Sequence, residues 1–169
     1  ITKMKELVRK SMEEGAMGIG SSLIYAPADY ASTDELIALS KTASEYGGMY
    51  ISHIRNEDSR VLEAIDELIK ISKKADIPAE IYHLKASRKS NWNLLDKMID
   101  KIEKARAEGL EITADMYTYN ASSTGLTGVI PTWIQEGGHR AWINRMKEPG
   151  PRKRIIEDIK KELKDQAPE

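Results

Sequence analysis

Apolar positions along the chain change their spacing in a regular way, and the change predicts a repeated strand–helix unit. Short apolar runs typical of buried strands occur four times, and a longer stretch with apolar residues at helical spacing separates each pair of them. One isoleucine from each run aligns at intervals of about 31 residues, the length of a βα unit. These residues are Ile19, Ile51, Ile81 and Ile112. Strands that alternate with helices in this way form a parallel sheet.

The helices between the strands have recognisable ends. Ser32 and Glu35 are spaced as in a capping box at the start of a helix. Gly47 and Gly109 stand where a left-handed residue ends a helix. The pattern therefore predicts helices over residues 33–46, 59–75 and 92–107.

The length of the chain bears on the kind of sheet. Eight such units need roughly 250 residues, the usual size of a (β/α)₈ barrel, whereas the chain has 169 and begins at Ile1 inside an amphipathic pattern. We therefore expect an α/β fold, with residues 1–119 forming a partial TIM-type barrel of about four parallel βα units. The alternative is a complete open sheet of the flavodoxin-like kind, although no Gly-rich phosphate loop follows the first strand.

Residues 120–169 depart from the repeat. A loop rich in Ser, Thr and Gly covers residues 120–131, and residues 132–147 are helical with an interruption at Gly137-Gly138. The Pro149-Gly150-Pro151 break then starts a final helix. An insertion at the C-terminal end of a barrel strand lies over the mouth where active sites are found. We predict a loop and helical insertion that is either a lid and substrate subdomain or a simple packing subdomain.

Composition limits the chemistry and the location. The sequence is 40% hydrophobic with a net charge of −1, which argues against a disordered chain and against nucleic-acid binding. No apolar run is long enough for a membrane span and no signal peptide is evident, so we expect a cytoplasmic protein that does not bind membranes. Because there is no cysteine, a metal has to be bound by histidine, carboxylate or water.

Two of the three histidines occupy matching places in neighbouring units. His53 and His83 each lie two residues after an aligned isoleucine, so the pattern places them on the same side of the sheet and at the same height. Both lie near the C-terminal ends of their strands, where barrel enzymes carry out chemistry. They are candidate ligands for one metal ion, or alternatively core histidines. His139, in the insertion, is expected at the surface.

A cation follows each of these histidines by two residues. Arg55 follows one and Lys85 follows the other, so both are expected at the rim of the sheet. Lysine and arginine there can bind a substrate carboxylate. For Arg55 we favour a salt bridge with Glu57 or Asp58 instead.

Other polar side chains are predicted just past the strand ends. The hydroxyls of Tyr25 and Tyr117 can each bind an anion or an amide carbonyl. Asp115, near the end of the fourth strand, is either a metal ligand, a residue that orients one, or a residue that orders the loop.

A set of short motifs extends over most of the chain. The motifs are Gly15-Ala16-Met17-Gly18, Ser21-Ser22-Leu23-Ile24-Tyr25-Ala26-Pro27, Tyr30-Ala31-Ser32-Thr33, Tyr46-Gly47-Gly48, Ser52-His53-Ile54-Arg55, His83-Leu84-Lys85 and Thr113-Ala114-Asp115-Met116-Tyr117. As a set they resemble the N-acyl-D-amino-acid deacylases, or D-aminoacylases, of the metal-dependent amidohydrolase superfamily. The resemblance implies a (β/α)₈ barrel joined to a small β-sandwich, with His53 and His83 as zinc ligands from the fifth and sixth strands. It also implies that Tyr25, Lys85 and Tyr117 bind the carboxylate of the substrate.

The activity implied by the resemblance is zinc-assisted hydrolysis of the amide bond of N-acyl-D-amino acids. The family's early His-x-His pair, its metal-ligating Cys and its late catalytic Asp have no counterpart in this sequence. No catalytic residue is therefore assigned, and the chain is expected to be a fragment that is inactive alone. Tyr117-Thr118-Tyr119 also departs from the family's usual Tyr-Pro-Tyr.

Other interpretations stay open at this point. A cyclic amidohydrolase relative, similar to dihydroorotases or hydantoinases, would fit if Arg55 bound the substrate. A non-enzymatic α/β binding module would not need paired metal ligands. A partial barrel has two exposed edge strands, which favour a homodimer.

Overall fold

The structure is a computed structural model that describes residues 1–164. These residues contain a four-stranded parallel sheet. The strands, in the spatial order β1-β2-β3-β4, are β1 (Gly18–Ser22), β2 (Met49–His53), β3 (Ala79–Ile81) and β4 (Ile112–Ala114). The helices are α1 (Thr2–Glu13), α2 (Thr33–Ser44), α3 (Val61–Ala75) and α4 (Leu95–Ala107). Strands adjacent in the sequence are adjacent in the sheet, as in a segment of a (β/α) barrel. In a flavodoxin-like sheet the strand order reverses at a switch point, although the strands stay parallel. The fold is therefore α/β with four units of a partial barrel.

The main core lies between this sheet and the helices. Tyr50, Ala79, Ile81 and Ile112 of the strands are buried in one cluster with apolar residues of the helices, including Ile65. Ile51 and His53 alternate with these buried positions on β2 and are only half-buried. One face of the sheet is thus covered by helices, and the other carries His53.

The ends of the helices follow their local sequence signals, and the predicted bounds are correct to within three residues. The Ser32 hydroxyl accepts a hydrogen bond from the Glu35 backbone N–H at 3.2 Å at the start of α2. Gly47 and Gly109 are left-handed, with φ of 68° and 91°.

The register of the sheet differs from the predicted alignment. Ile51 pairs with Gly20 and Glu80, whereas Ile81 pairs with Ser52. The predicted equivalence of Ile51 and Ile81 is therefore wrong by one residue. The reason is that the helix-facing positions of β2 are occupied by Tyr50 and Ser52, both buried, so that Ile51 faces the opposite side from Ile81.

The chain after β4 packs around a second, smaller cluster. Its helices are α5 (Thr132–Gln135), α6 (His139–Lys147) and α7 (Pro149–Lys164), and its buried residues are Ile130, Ile134 and Ile155. The indole N–H of Trp133 donates to Asp158 at 2.9 Å, and the guanidinium of Arg154 lies 4.0 Å from the centre of the Trp133 ring. In the part of the chain that the structure describes, no helix combines the length and apolar character that crossing a bilayer requires.

Candidate functional site

The structure brings His53 and His83 together at the C-terminal end of the sheet. Their ring centroids are 4.3 Å apart, with the ring planes at 87°. His53 is the last residue of β2, and His83 lies two residues beyond the end of β3. Two imidazoles at this separation present nitrogen donors to a common point.

The two rings meet because His83 departs from strand geometry. Side chains two residues apart in a regular strand point to the same side, which would place His83 with the buried Ile81, toward the helices. The backbone of His83 is instead left-handed, with φ of 40°. Asp115 accepts a hydrogen bond from the His83 backbone N–H at 2.5 Å, so Asp115 contacts the backbone of a candidate ligand and lies outside the group of candidate ligands itself.

Glu57 completes the cluster, and the sequence analysis missed it as a site residue. Its Oε1 atom lies 3.0 Å from His83 Nδ1 and 3.3 Å from His53 Nδ1. One donor atom from each of the three residues lies within 4.8 Å of the others. The available signal was the position of Glu57 four residues after His53, immediately past a strand end. Two imidazoles and a carboxylate form a donor set typical of a zinc site.

The environment of His53 favours its neutral form. Burial lowers the pKa of His53, nearby His83 and Lys85 lower it further, and the Glu57 carboxylate opposes the shift. Its Nδ1 atom is buried and makes no hydrogen bond among the described residues, although Glu57 Oε1 lies 3.3 Å away. A neutral imidazole whose nitrogen makes no hydrogen bond is the form in which histidine binds a metal.

The predicted carboxylate-binding residues surround this cluster. Tyr25 lies beside His53 and Tyr117 beside His83, with ring centroids 5.3 and 6.2 Å apart. Both tyrosines line a cleft of about 660 Å³ that also contains Lys85 and the cluster. The Tyr25 hydroxyl lies 2.7 Å from Thr124 Oγ1, in the loop that follows β4.

Lys85 contacts the cluster directly. Its ammonium donates to Glu57 Oε1 at 2.9 Å and lies 2.6 Å from His83 Nδ1. The same Nζ atom lies 5.3 Å from the centre of the Tyr117 ring. Lys85 therefore places a positive charge directly against two of the candidate metal ligands, within the same cleft.

Arg55 does not line the cleft, and its predicted salt bridge to Glu57 or Asp58 is wrong. The guanidinium reaches α3, where it donates to both carboxylate oxygens of Glu67 at 2.8 and 3.0 Å. It also donates to the carbonyl oxygens of Asp29 and Ala31, each at 2.9 Å. With these partners Arg55 is a link between elements, and the feature that favoured a cyclic amidohydrolase loses its basis.

His139 is exposed, as predicted. It is the first residue of α6, and its ring lies 5.4 Å from that of Trp142. Among the described residues, His139 belongs neither to the group of candidate metal ligands nor to the lining of the cleft.

Sequence comparison identifies curated relatives, although no family model matches the chain. A D-aminoacylase of Alcaligenes xylosoxydans xylosoxydans is 33% identical over 126 residues, which are 75% of this chain and 26% of the relative. An N-acyl-D-glutamate deacylase of the same organism is 32% identical over 121 residues, 72% of this chain and 25% of the relative. The chain thus spans about a quarter of the length of the curated relatives it matches.

Solved structures similar to this chain include a deacylase of the same kind. An N-acyl-D-glutamate deacylase from Bordetella bronchiseptica, complexed with zinc and a phosphonate mimic of the tetrahedral intermediate, matches with a TM-score of 0.67 and 30% identity. The match covers 68% of this chain and 24% of that one. A D-hydantoinase matches with a TM-score of 0.55 at 11% identity over 82% of this chain and 35% of that one, a likeness of fold alone.

Proposed function

This chain is a homologue of part of the D-aminoacylases and N-acyl-D-glutamate deacylases, and on that premise we propose that it forms part of the active site of a zinc-dependent amide hydrolase. The reaction is removal of the acyl group from N-acyl-D-amino acids. The observation that carries the proposal is the convergence of His53, His83 and Glu57 at the carboxyl ends of parallel strands, the end at which barrel enzymes carry out chemistry.

The donor set fits zinc. Zinc takes imidazole nitrogen and carboxylate oxygen ligands, and His53 and His83 supply the nitrogens while Glu57 supplies the oxygen. The Nδ1 atom of His53 is buried and makes no hydrogen bond among the described residues, which supports a ligand role, since a buried polar atom without a hydrogen bond is costly. When bound there, zinc would serve as a Lewis acid for the amide carbonyl and would lower the pKa of a bound water molecule.

Lys85, Tyr25 and Tyr117 bind the carboxylate of the substrate in this proposal. Lys85 contributes the charge and the tyrosines contribute hydroxyl donors on either side of the histidine pair. Because Lys85 already donates to Glu57, an incoming carboxylate competes with Glu57 for the ammonium. The substrate is then anchored next to the metal cluster rather than at a remote part of the cleft.

Zinc titration by calorimetry tests the metal site. The variants are His53→Ala with His83→Ala, and His139→Ala as the matched control, because His139 is exposed and outside the cluster. We expect one zinc per chain in the wild type and in His139→Ala, and loss of binding in the double variant. Binding that survives in the double variant contradicts the assignment.

The activity needs groups beyond those assigned here. The resemblance places a catalytic Asp and further metal ligands at positions without a counterpart in this sequence, and the chain matches about a quarter of its relatives. We therefore expect the 169-residue chain to show no hydrolysis of N-acetyl-D-leucine above background. Turnover that is specific for the D enantiomer would contradict that expectation.

Two features outside the cluster belong to the same proposal. The first is a separate segment from residue 120 onward, to which we assign a lid or substrate-pocket role because Thr124 and Gly128 line the cleft.

The second is a homodimer, in which β1 and β4, the edge strands of the described sheet, pair between two copies of the chain. Sedimentation equilibrium distinguishes a dimer from a monomer.

A further inference from the structure

The hydrogen bonding between β3 and β4 gains one residue where it reaches the site. The Asp115 backbone N–H donates to the Ile81 carbonyl at 3.2 Å, as regular parallel pairing requires. In the next regular bond the Asp115 carbonyl would accept from His83. It accepts instead from the N–H of Leu84, at 2.8 Å. His83 is therefore an extra residue, and the strand end forms a β-bulge.

This bulge explains how His83 comes to face His53. An inserted residue reverses the alternation of side chains beyond it, and a bulge re-aims a side chain in this way. The left-handed φ of 40° at His83 is the backbone turn that accomplishes the change. For a residue with a side chain that conformation is uncommon and requires support from its surroundings.

The bulge also leaves the His83 backbone N–H without its partner in the ladder. The Asp115 side chain occupies that place, since its Oδ1 atom accepts the N–H at 2.5 Å. The peptide segment from Ile81 to Leu84 is thus held to Asp115 by three hydrogen bonds, two of them to its backbone and one to its side chain. Asp115 neither belongs to the donor group nor lines the cleft among the described residues.

We propose that Asp115 is a positioning residue, whose carboxylate stabilises the bulge at His83 and so aims that imidazole at His53 and the metal cluster. The geometric part stands on this structure alone, and the consequence for zinc rests on the proposed function. A charged acceptor suits the place because a carboxylate forms a stronger hydrogen bond to a backbone N–H than a neutral group does. Asparagine at position 115 keeps an acceptor oxygen, whereas alanine removes it.

Nuclear Overhauser contacts between the His53 and His83 ring protons report the aim of His83 without any metal, since the ring centroids are 4.3 Å apart. We expect the contacts in the wild type and in Asp115→Asn, and their loss in Asp115→Ala. Thr113→Ala is the matched control, because Thr113 Oγ1 bridges the same strands through Glu80 at 3.0 Å and does not touch His83. Contacts that persist in Asp115→Ala overturn the proposal.

Amide hydrogen exchange keeps the test decisive if Asp115→Ala does not fold. The His83 amide is expected to exchange as slowly as that of Leu84 in the wild type and faster in Asp115→Asn, whose acceptor is uncharged. A His83 amide that exchanges at the rate of an open loop in the wild type overturns the proposal.

Zinc affinity then separates the two levels of inference. With folded variants we expect zinc to bind about 10- to 100-fold more weakly to Asp115→Ala than to Thr113→Ala, the usual effect of removing a group that supports a ligand. If the ring contacts behave as expected while the wild type binds no zinc, Asp115 positions His83 and the proposed metal function fails. If the wild type binds zinc and the ring contacts persist in Asp115→Ala, the metal function stands and the positioning role fails.

Discussion

The guanidinium of Arg55 holds the carboxylate of Glu67 through two hydrogen bonds of 2.8 and 3.0 Å. The same guanidinium donates to the carbonyl oxygens of Asp29 and Ala31, in the loop that follows Tyr25. Arg55 thereby joins three parts of the fold: the end of β2, helix α3 and the loop that carries a residue of the cleft. None of these hydrogen bonds reaches His53, Glu57 or His83, so the loss of the link is expected to affect stability first.

Substituting Arg55→Ala tests this link. The change leaves the half-buried Glu67 carboxylate without its cationic partner, and we expect the free energy of unfolding to fall by about 2 kcal/mol. Urea denaturation measures it. Arg60→Ala is the control, since Arg60 and Glu63 form an exposed pair at 2.6 Å and such pairs contribute about 0.5 kcal/mol. Equal losses in the two variants would contradict a special role for Arg55.

The stability of the chain is also expected to depend on the ionisation of Glu67. Burial by itself raises the pKa of Glu67, but hydrogen bonds from Arg55 and Thr33 outweigh it and hold the pKa below its usual value of 4.5. The folded state therefore binds the proton less readily than the unfolded chain. The stabilisation is fully present above pH 4.5 and is lost as the pH falls through the folded-state pKa.

Denaturation of the wild type and of Glu67→Gln across the acid range measures this contribution. The difference in free energy between the two proteins is expected to be constant near neutral pH and to shrink as the pH falls below 4.5. Glu63→Gln, at an exposed position, is the control. A difference that is the same at all pH values would show that Glu67 acts without its charge.

Lys85 is expected to oppose zinc binding in the absence of substrate. Its ammonium lies 2.6 Å from His83 Nδ1 and 2.9 Å from Glu57, so its positive charge repels a second cation at the cluster. We expect Lys85→Met to bind zinc about tenfold more tightly, because two like charges this close interact by at least about 1 kcal/mol even in water. Lys101→Met is the control, since Lys101 pairs with Asp66 away from the cleft. Unchanged or weaker binding in Lys85→Met would contradict the prediction.

Much of the fold could be predicted because its signals are local. The helices are amphipathic and their ends are marked, so that Ser32 and Gly109 were placed correctly from their neighbours alone. The register was not predictable in this way. Tyr50 and Ile51 are both apolar, and only the packed sheet shows that Tyr50 is the one facing the helices.

Part of the candidate site could be predicted, but the structure gives a different reason for the proximity of its two histidines. The sequence placed His53 and His83 together by assuming two regular strands, whereas they meet because His83 is the extra residue of a bulge. The partner of Arg55 was missed because a long side chain reaches carboxylates that are distant in sequence. Glu57 was noticed only as a neighbour of Arg55, since its convergence on both imidazoles depends on the path of the chain after β2.

The contact of Tyr25 with Thr124 is expected to order the segment that closes one side of the cleft. The two oxygen atoms are 2.7 Å apart, and they join the end of β1 to residues that lie about 100 positions later in the chain. Because Tyr25→Phe keeps the ring and removes only the hydroxyl, we expect faster amide exchange across residues 120–129 with little loss of global stability, about 1 kcal/mol. Exchange measured by mass spectrometry resolves this segment, and Tyr46→Phe, which removes an exposed hydrogen bond to Glu13, is the control. If the proposed function is correct, a carboxylate ligand competes with Thr124 for the Tyr25 hydroxyl, so that ligand binding and order in this segment are linked. If amide exchange across residues 120–129 is the same in both variants, the Tyr25 hydroxyl does not order this segment.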